Sequence, residues 1–514
     1  MSAESTSPER QRGGDKPSLA PRAGASRFFP TDTWVRALLA PALVFIACGI
    51  DRNYQTDLWH HLARGQVIVE EGRILDEDRF TFTVDGERFQ DVNWLSQVFF
   101  YRLWQLGGLE LLQAVNALLL AGMMALLVGF SYRLSRNMAI AGGVGVFIFV
   151  GLWQLFLIRP QTLSLLLFVS LYAVMEGARK RPWLLALAPA HLALWVNMHG
   201  AFPIGLVLIG CYGLAAFLEA TCQREWQALR DHRVWLLALC LLASILATLL
   251  NPYGAGVYQY VRQTSGLAAA RRIDEWLPPG LGTLTGKVWA ASLVGLVVLL
   301  TLPGRRPELR QVVLLAVFLP LSCGSVRMIA WWLLVLAPIA AQLIADRLGP
   351  RDAKPQAANL GATLSCLGLL TAMLLSLPWF ESWSPFMRFL RSPHRVETDL
   401  ESTSQQLRAA ARSGNIFTRF EWGEYLGWRL APEFRVFMDG RIEIFPDPVW
   451  NAYSAITSGH ADWGALLEKW GVRYLVLDAG PYHGQILPLV QARPDVWEPL
   501  TATGDVLVFR RRTR

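Results

Sequence analysis

A chain of 514 residues with 53% hydrophobic and only 17% charged side chains is not an ordinary soluble domain, in which about a quarter of residues are charged. Its mean hydropathy of +0.31 comes from several apolar runs of roughly membrane-spanning length. The net charge of +8 is spread through short loops, not gathered into a patch, which argues against nucleic acid as a partner.

Residues 1–33 are rich in Ser, Pro, Gly and Arg and predict a disordered tail. No short apolar core with a small-residue cleavage site stands near the start, so the run at 34–50 is expected to be an uncleaved anchor. Loop 51–108 follows, with ten acidic residues between 51 and 100. Further spans are expected at about 109–130, 138–157, 161–176, 183–197, 201–219, 234–250, 287–303, 311–322, 328–345 and 360–379, which makes eleven. With the amino terminus inside, the inner segments carry 19 Lys/Arg and the longer outer ones 11. That asymmetry places the tail in the cytoplasm and loop 51–108 outside. The six cysteines lie mostly in or beside apolar runs without CxxC spacing. They read as small buried residues, not as a disulfide framework.

Residues 395–514 form a separate segment that ends up outside. After a helical lead-in, 414–420, 434–441, 472–478 and 505–511 read as strands. Residues 461–471 read as an amphipathic helix ended by Gly471. The alternation predicts a small α/β domain. The fold class expected is therefore a polytopic α-helical membrane protein of about eleven spans, 34–379, with an extracytoplasmic α/β domain at 395–514.

Ionisable residues then gather at one membrane face. Asp57, His60 and His61 lie in the first outer loop, Arg159 ends one span, and Asn197 and His199 end another. Asn251 and Tyr253 (LNPYG), Glu275 (RRIDEW) and Arg327 (GSVRM) lie on the same side. Such groups at membrane depth usually face a cavity; singly, each could equally anchor a helix end. Leu58, Leu62, Gly65 and Val69 keep helical spacing. A helix over 57–70 lying on the bilayer is expected, with Asp57 and His61 on one face. A carboxylate beside an imidazole can act as base and orienter. Asp78 in DEDRF is a second acidic candidate. Residues 94–104 read as another interfacial helix with Trp94 and Trp104 toward lipid. Arg159 and Arg327 have the planar fork that suits a lipid phosphate. The Asp439-Gly440-Arg441 stretch reads first as a turn after a strand.

This layout resembles the GT-C superfamily, integral-membrane glycosyltransferases that use polyprenyl-phosphate-linked sugars. The matching text is DLWHHLARGQVIVEEGRILDEDRF (57–80), together with an inner amino terminus and an outer carboxy-terminal domain. RPQ (159–161), WVNMHG (195–200), NPYG (251–254) and DGR (439–441) also resemble stretches of bacterial multispanning proteins of unassigned activity. The resemblance implies a catalytic role for Asp57, with Asp78 as a second acidic residue; His61 joins them through its place on the Asp57 face of the helix. Arg159 and Arg327 would hold the donor phosphate by role, and His199, Asn251 and Glu275 are expected substrate contacts from their place at the same membrane face. The implied partners are a polyprenyl-phosphate-linked sugar, a glycan, lipid or protein acceptor, and membrane lipids of the plasma (inner) membrane. No cofactor is certain, and the residues leave a divalent metal open. WGEYLGW (422–428) only echoes the oligosaccharyltransferase signature WWDYG, so protein N-glycosylation is not expected. The rival classes are a lipid or glycan flippase and a noncatalytic envelope scaffold with a ligand-binding outer domain.

Overall fold

The computed structural model describes residues 30–50, 57–224, 231–271, 273–348, 359–383, 396–410, 413–441 and 443–512. The tail expected to be disordered lies, as far as residue 29, outside the described residues. Thirteen helices come first: α1 (Asp32–Ile50), α2 (Asp57–Glu71), α3 (Trp94–Ser135), α4 (Met138–Leu152), α5 (Gln161–Ala178), α6 (Leu187–Met198), α7 (Pro203–Arg224), α8 (His232–Ala247), α9 (Gly256–Ala270), α10 (Leu284–Thr301), α11 (Leu309–Gly324), α12 (Ile329–Leu348) and α13 (Leu360–Leu375).

Seven helical stretches among the described residues are long and apolar enough to cross a membrane, and four more, around α6, α8, α11 and α13, are apolar but shorter. This is an integral membrane protein whose apolar helices match the runs read from hydropathy. α12 is apolar all round and is the most enclosed of them, as expected of a helix at the centre of a bundle. Its Trp331 and Trp332 pack with Phe168, Trp195 and Phe318 in the main core. Prolines inside α1, α11 and α12 are tolerated because neighbouring helices can re-satisfy the backbone.

α3 joins two segments that the sequence treats separately. Gly107 and Gly108 leave helical geometry, and Gly108 has a φ of +64°, so the helix kinks where glycines permit it. The part before the kink does not face lipid as expected. Trp94 Nε1 donates to Asn197 Oδ1 at 2.9 Å, and Trp104 packs edge-on against Trp428 of the carboxy-terminal domain. α2 likewise does not lay its apolar face on a bilayer surface. Leu58 and Leu62 are fully buried with Phe100, Tyr101, Leu400 and Leu426. Gly65 lies so close to α3 that a Cβ would sit 2.3 Å from the Gln97 carbonyl oxygen. Helical spacing defines an apolar face; it does not say whether lipid or protein covers it.

The carboxy-terminal domain contains α14 (Val396–Ala410), β1 (Gly414–Thr418), α15 (Phe420–Leu430), β2 (Phe434–Val436), α16 (Asp447–Thr457), α17 (Trp463–Lys469), β3 (Tyr474–Asp478), α18 (Ile486–Gln491), β4 (Trp497–Thr503) and β5 (Val506–Arg511). The sheet order is β2-β1-β3-β5-β4. β1 runs parallel to β2 and β3, with Ile416 opposite Tyr474. β5 runs antiparallel to β3 and β4. β4 escapes strand reading because Glu498 and Pro499 interrupt its pattern, although Gly504-Asp505 is a two-residue hairpin signal.

Loop 72–93 is built onto this sheet. Thr81 bridges Val436 in parallel. Phe82 N donates to the Val436 carbonyl at 3.2 Å, and Val436 N donates to the Phe80 carbonyl at 3.1 Å. The exposed edge of β2 is thereby paired, which removes an aggregation-prone edge. It also ties the first loop to the far end of the chain.

Candidate active site

A cavity of about 1040 Å³ opens where α2, the start of α5, the ends of α6 and α9, the turn before α12 and the carboxy-terminal domain meet. Asp57, His61, Arg159, His199, Glu275 and Arg327 all line it. They come from five separate stretches of chain, each at or near the end of a helix. Asn251 and Asp78 do not line it.

Asp57 begins α2, where a carboxylate suits the positive helix end. Its Oδ2 lies 3.4 Å from Arg159 Nη1. Arg159 Nη2 reaches Glu275 Oε1 at 2.8 Å, and Glu275 Oε2 lies 3.6 Å from Arg327 Nε. The result is an alternating chain of acid, base, acid and base. Arg327 also lies 5.1 Å above the Trp276 ring, a cation–π contact. Burial works against charge on Arg159, but Glu275 and Asp57 outweigh it and raise its pKa. For Glu275, burial is outweighed by Arg159 and Arg327, and its pKa falls. Among the described residues, no three or more His, Cys, Asp or Glu side chains gather as a metal site. The pair Asp57 and Glu275 is bridged by a guanidinium.

Burial drives both cavity histidines toward the neutral form. His199 is pushed down to about 3 by burial, with Arg327 and Arg159 adding to it. Its Nδ1 is 2.7 Å from Ser164 Oγ, which also accepts from Trp195 Nε1. His61 is pushed well down by burial, then by Arg64, His199 and Arg159. Its polar contact is Gln97, 3.4 Å from Nδ1, while Asp57 is engaged with Arg159. Behind them Arg64 pairs with Asp91 at 3.1 Å, and Gln97 donates to the same Asp91 oxygen at 2.6 Å.

Asp78 is a lock between segments. It is 2% exposed, accepts from Thr81 N and Oγ1 at 3.0 and 2.6 Å, and pairs with Arg441. Arg441 in turn grips Asp439, its Nε lying 2.9 Å from Oδ2. The DGR stretch is thus a turn with a structural ion pair inside it. Asn251 ties its own turn: Nδ2 donates to the Thr248 and Gly254 carbonyls, and Oδ1 accepts from Tyr253 N at 2.7 Å. That turn holds the Tyr253 hydroxyl 2.8 Å from Asp91 N.

Sequence reasoning passed over a contact between His60 and Glu424, 3.2 Å apart. The signal was present, because Glu424 interrupts the buried face made by Trp422, Tyr425 and Leu426. Its partner lies over 360 residues upstream, which no local pattern reveals. Tyr260 OH, donating to Glu443 at 3.1 Å, is another such long-range contact on the cavity wall.

No protein-family model and no curated protein sequence matches the chain. Solved structures do. The oligosaccharyltransferase of Archaeoglobus fulgidus in the apo form matches with a TM-score of 0.53 at 12% identity, over 87% of this chain and 70% of that one. The same enzyme, AglB, in complex with an inhibitory peptide and a dolichol-phosphate, gives 0.53 at 11% over the same shares. Tethered to an acceptor peptide containing the NVT sequon, it gives 0.56 at 12%, over 94% of this chain and 74% of that one. At such identity the likeness is one of fold.

Proposed function

We propose that this protein is a glycosyltransferase that moves a sugar from a polyprenyl-phosphate carrier to an acceptor outside the cytoplasm. The observation that carries the reading is the chain Asp57–Arg159–Glu275–Arg327 on the wall of one cavity, within a fold shared with an enzyme solved with dolichol-phosphate bound. The amino terminus is cytoplasmic, and the cavity and the carboxy-terminal domain face the other side of the plasma (inner) membrane, as the Lys/Arg asymmetry supports.

In mechanism, Asp57 deprotonates or aligns the acceptor hydroxyl. That oxygen attacks the anomeric carbon, and the bond to the carrier phosphate breaks. Arg159 and Arg327 stabilise the charge that develops on the leaving phosphate, where fixed donors act most strongly. The 3.6 Å contact of Arg327 with Glu275 is the loosest of the chain and the one a phosphate oxygen displaces first. His199 and Glu275 contact the donor or acceptor, and inversion follows from a single displacement.

The test is genetic and chemical. In a deletion strain, the wild-type gene restores surface glycan composition, measured by mass spectrometry, and Asp57→Asn and Arg159→Ala do not. Unchanged glycans with both variants sink the proposal. Co-purified polyprenyl phosphate separates the enzyme from a noncatalytic scaffold.

A further inference from the structure

An acceptor hydroxyl that attacks carbon must lose its proton, and Asp57 already faces Arg159. A second carboxylate stands close by. Glu424 of α15 is 2% exposed, and its Oε2 lies 3.2 Å from His60 Nδ1. His60 lines the cavity and follows Asp57 by three residues on α2, so the two share a helix face. The approach is not aligned as a hydrogen bond. Among the described residues, His60 Nδ1 and both Glu424 oxygens have no hydrogen-bond partner. Buried polar atoms are nearly always satisfied, so three unsatisfied atoms at one place mark a site where a proton is held or moved.

The carboxyl is also held in position. A Cβ on Gly440 would sit 1.8 Å from Glu424 Oε1, so the bare glycine leaves the carboxyl its place and a larger residue would push it aside. The charged and titratable neighbours of the pair are Asp57, His61 and Arg64 on α2, Glu421 on α15, and Asp439 and Arg441 on the turn. Burial, then Asp57, Asp439 and Glu421, push the Glu424 carboxyl well above the usual carboxylate range. Burial, then His61, Arg64 and Arg441, push His60 well below the usual imidazole range. Both shifts favour the uncharged form of each group.

We propose that His60 and Glu424 form the proton-accepting dyad of the transfer reaction, a step that rests on the function proposed above and leaves Asp57 to align the acceptor. In the competent form Glu424 is a carboxylate that accepts from His60 Nδ1–H, and His60 Nε2 offers its lone pair to the cavity. As the acceptor oxygen bonds the anomeric carbon, the carbon–oxygen bond to the carrier phosphate breaks and its electron pair leaves on the phosphate. The hydroxyl proton passes to Nε2, and the Nδ1 proton passes to Glu424. The dyad ends as neutral imidazole beside carboxylic acid. His60 is the catalytic residue, and Glu424 positions it and takes up the proton. Burial raises the Glu424 carboxylate above the ordinary range, which makes it a stronger proton acceptor behind the imidazole than an exposed carboxylate.

The test uses the full-length protein in lipid nanodiscs. The probe is the polyprenyl-phosphate glycolipid fraction extracted from the source cells, with the envelope fraction of the deletion strain as acceptor. Release of polyprenyl phosphate is followed against pH. The wild-type rate rises with pH through one ionisation and levels off. His60→Gln lowers the plateau by about 10²–10⁴-fold and flattens the profile. Glu424→Gln lowers the plateau and moves the ionisation to lower pH, since His60 then titrates alone. Gly440→Ala, which keeps both side chains but displaces the carboxyl, reproduces the Glu424→Gln profile and serves if removal of Glu424 harms folding. Wild-type rates and profiles in His60→Gln and Glu424→Gln, with Asp57→Asn inactive, overturn the dyad and leave the transfer reaction standing. No release by the wild type overturns both.

Discussion

The two ends of the α5 region carry ion clusters of the same makeup and different construction. At one end, Glu176 lies 2.8 Å from both Arg310 and Arg179, Arg310 lies 2.9 Å from Glu308, and Tyr212 OH donates to Glu176 at 3.0 Å. At the other, about 27 Å away along the helix at 1.5 Å per residue, stands the chain Asp57–Arg159–Glu275–Arg327. The first is closed: its residues line no part of the cavity, and its ion-pair distances are mostly short. The second is slack, with contacts of 3.4 and 3.6 Å on either side of a 2.8 Å one, and it lines the cavity. Two acids and two arginines make a staple when their contacts are short and face no cavity, and a binding surface when some are loose and line one.

That contrast breaks down if the two clusters respond alike to mutation. Arg159→Ala is expected to lower transfer by about 10²–10³-fold, the effect of removing one fixed donor to a developing anion, with little change in thermal stability. Arg310→Ala is expected to do the reverse. Breaking a buried pair costs about 3–5 kcal/mol, read as a fall in unfolding temperature in detergent, while activity per folded molecule stays near wild type. A smaller and more local loss is expected for Asp78→Asn. It weakens the link from loop 72–93 to the DGR turn and leaves Arg441 half-paired. Limited proteolysis should cut that loop faster in the variant, whereas Asp78 as a cavity base predicts lost activity with an unaltered digest.

The fold was legible because each span announces itself by a long apolar run and the basic residues alternate between loops. Arg159 and Arg327 stood out for a related reason. An ionisable side chain at the end of an apolar run needs a polar place to go, and here they go to one cavity. What the sequence hid is everything set by contact between its two ends. α2 reads as amphipathic whether its apolar face meets lipid or α15, and the actual neighbour, Trp428, hydrogen-bonds Gln66 across 362 residues of chain. Asp439-Gly440-Arg441 reads as a turn for the same reason. Asn251 misleads in the opposite way. Its bonds are all local, and a turn in a loop full of polar residues resembles a site until its hydrogen bonds are traced.

Acid sharpens the comparison more gently, because His61 and His199 line the cavity, whereas the ion pairs of the other cluster are made by glutamates and arginines. His199 has a folded pKa of about 3, below its unfolded value of about 6.5. Between those values the unfolded chain holds a proton that the folded protein does not. The stability this residue contributes is therefore complete above pH about 6.5 and lost as pH falls toward 3. Thermal unfolding measured between about pH 7 and about pH 4 should show His199→Gln losing less stability on acidification than the wild type. Equal losses would mean that His199 is not held neutral by its surroundings.

The smallest effect expected is at Asn251. If its work is to close the turn that places Tyr253 against the Asp91 backbone, Asn251→Ala costs about 1 kcal/mol of stability, the scale of one net hydrogen bond. Its transfer rate and apparent affinity for the lipid-linked donor stay unchanged, because the side chain never reaches the cavity. A rise in apparent KM without loss of stability would restore Asn251 to the binding surface. It would also require the turn to open when substrate enters, and the difference between a bonded staple and a slack site would then be one of state, not of place.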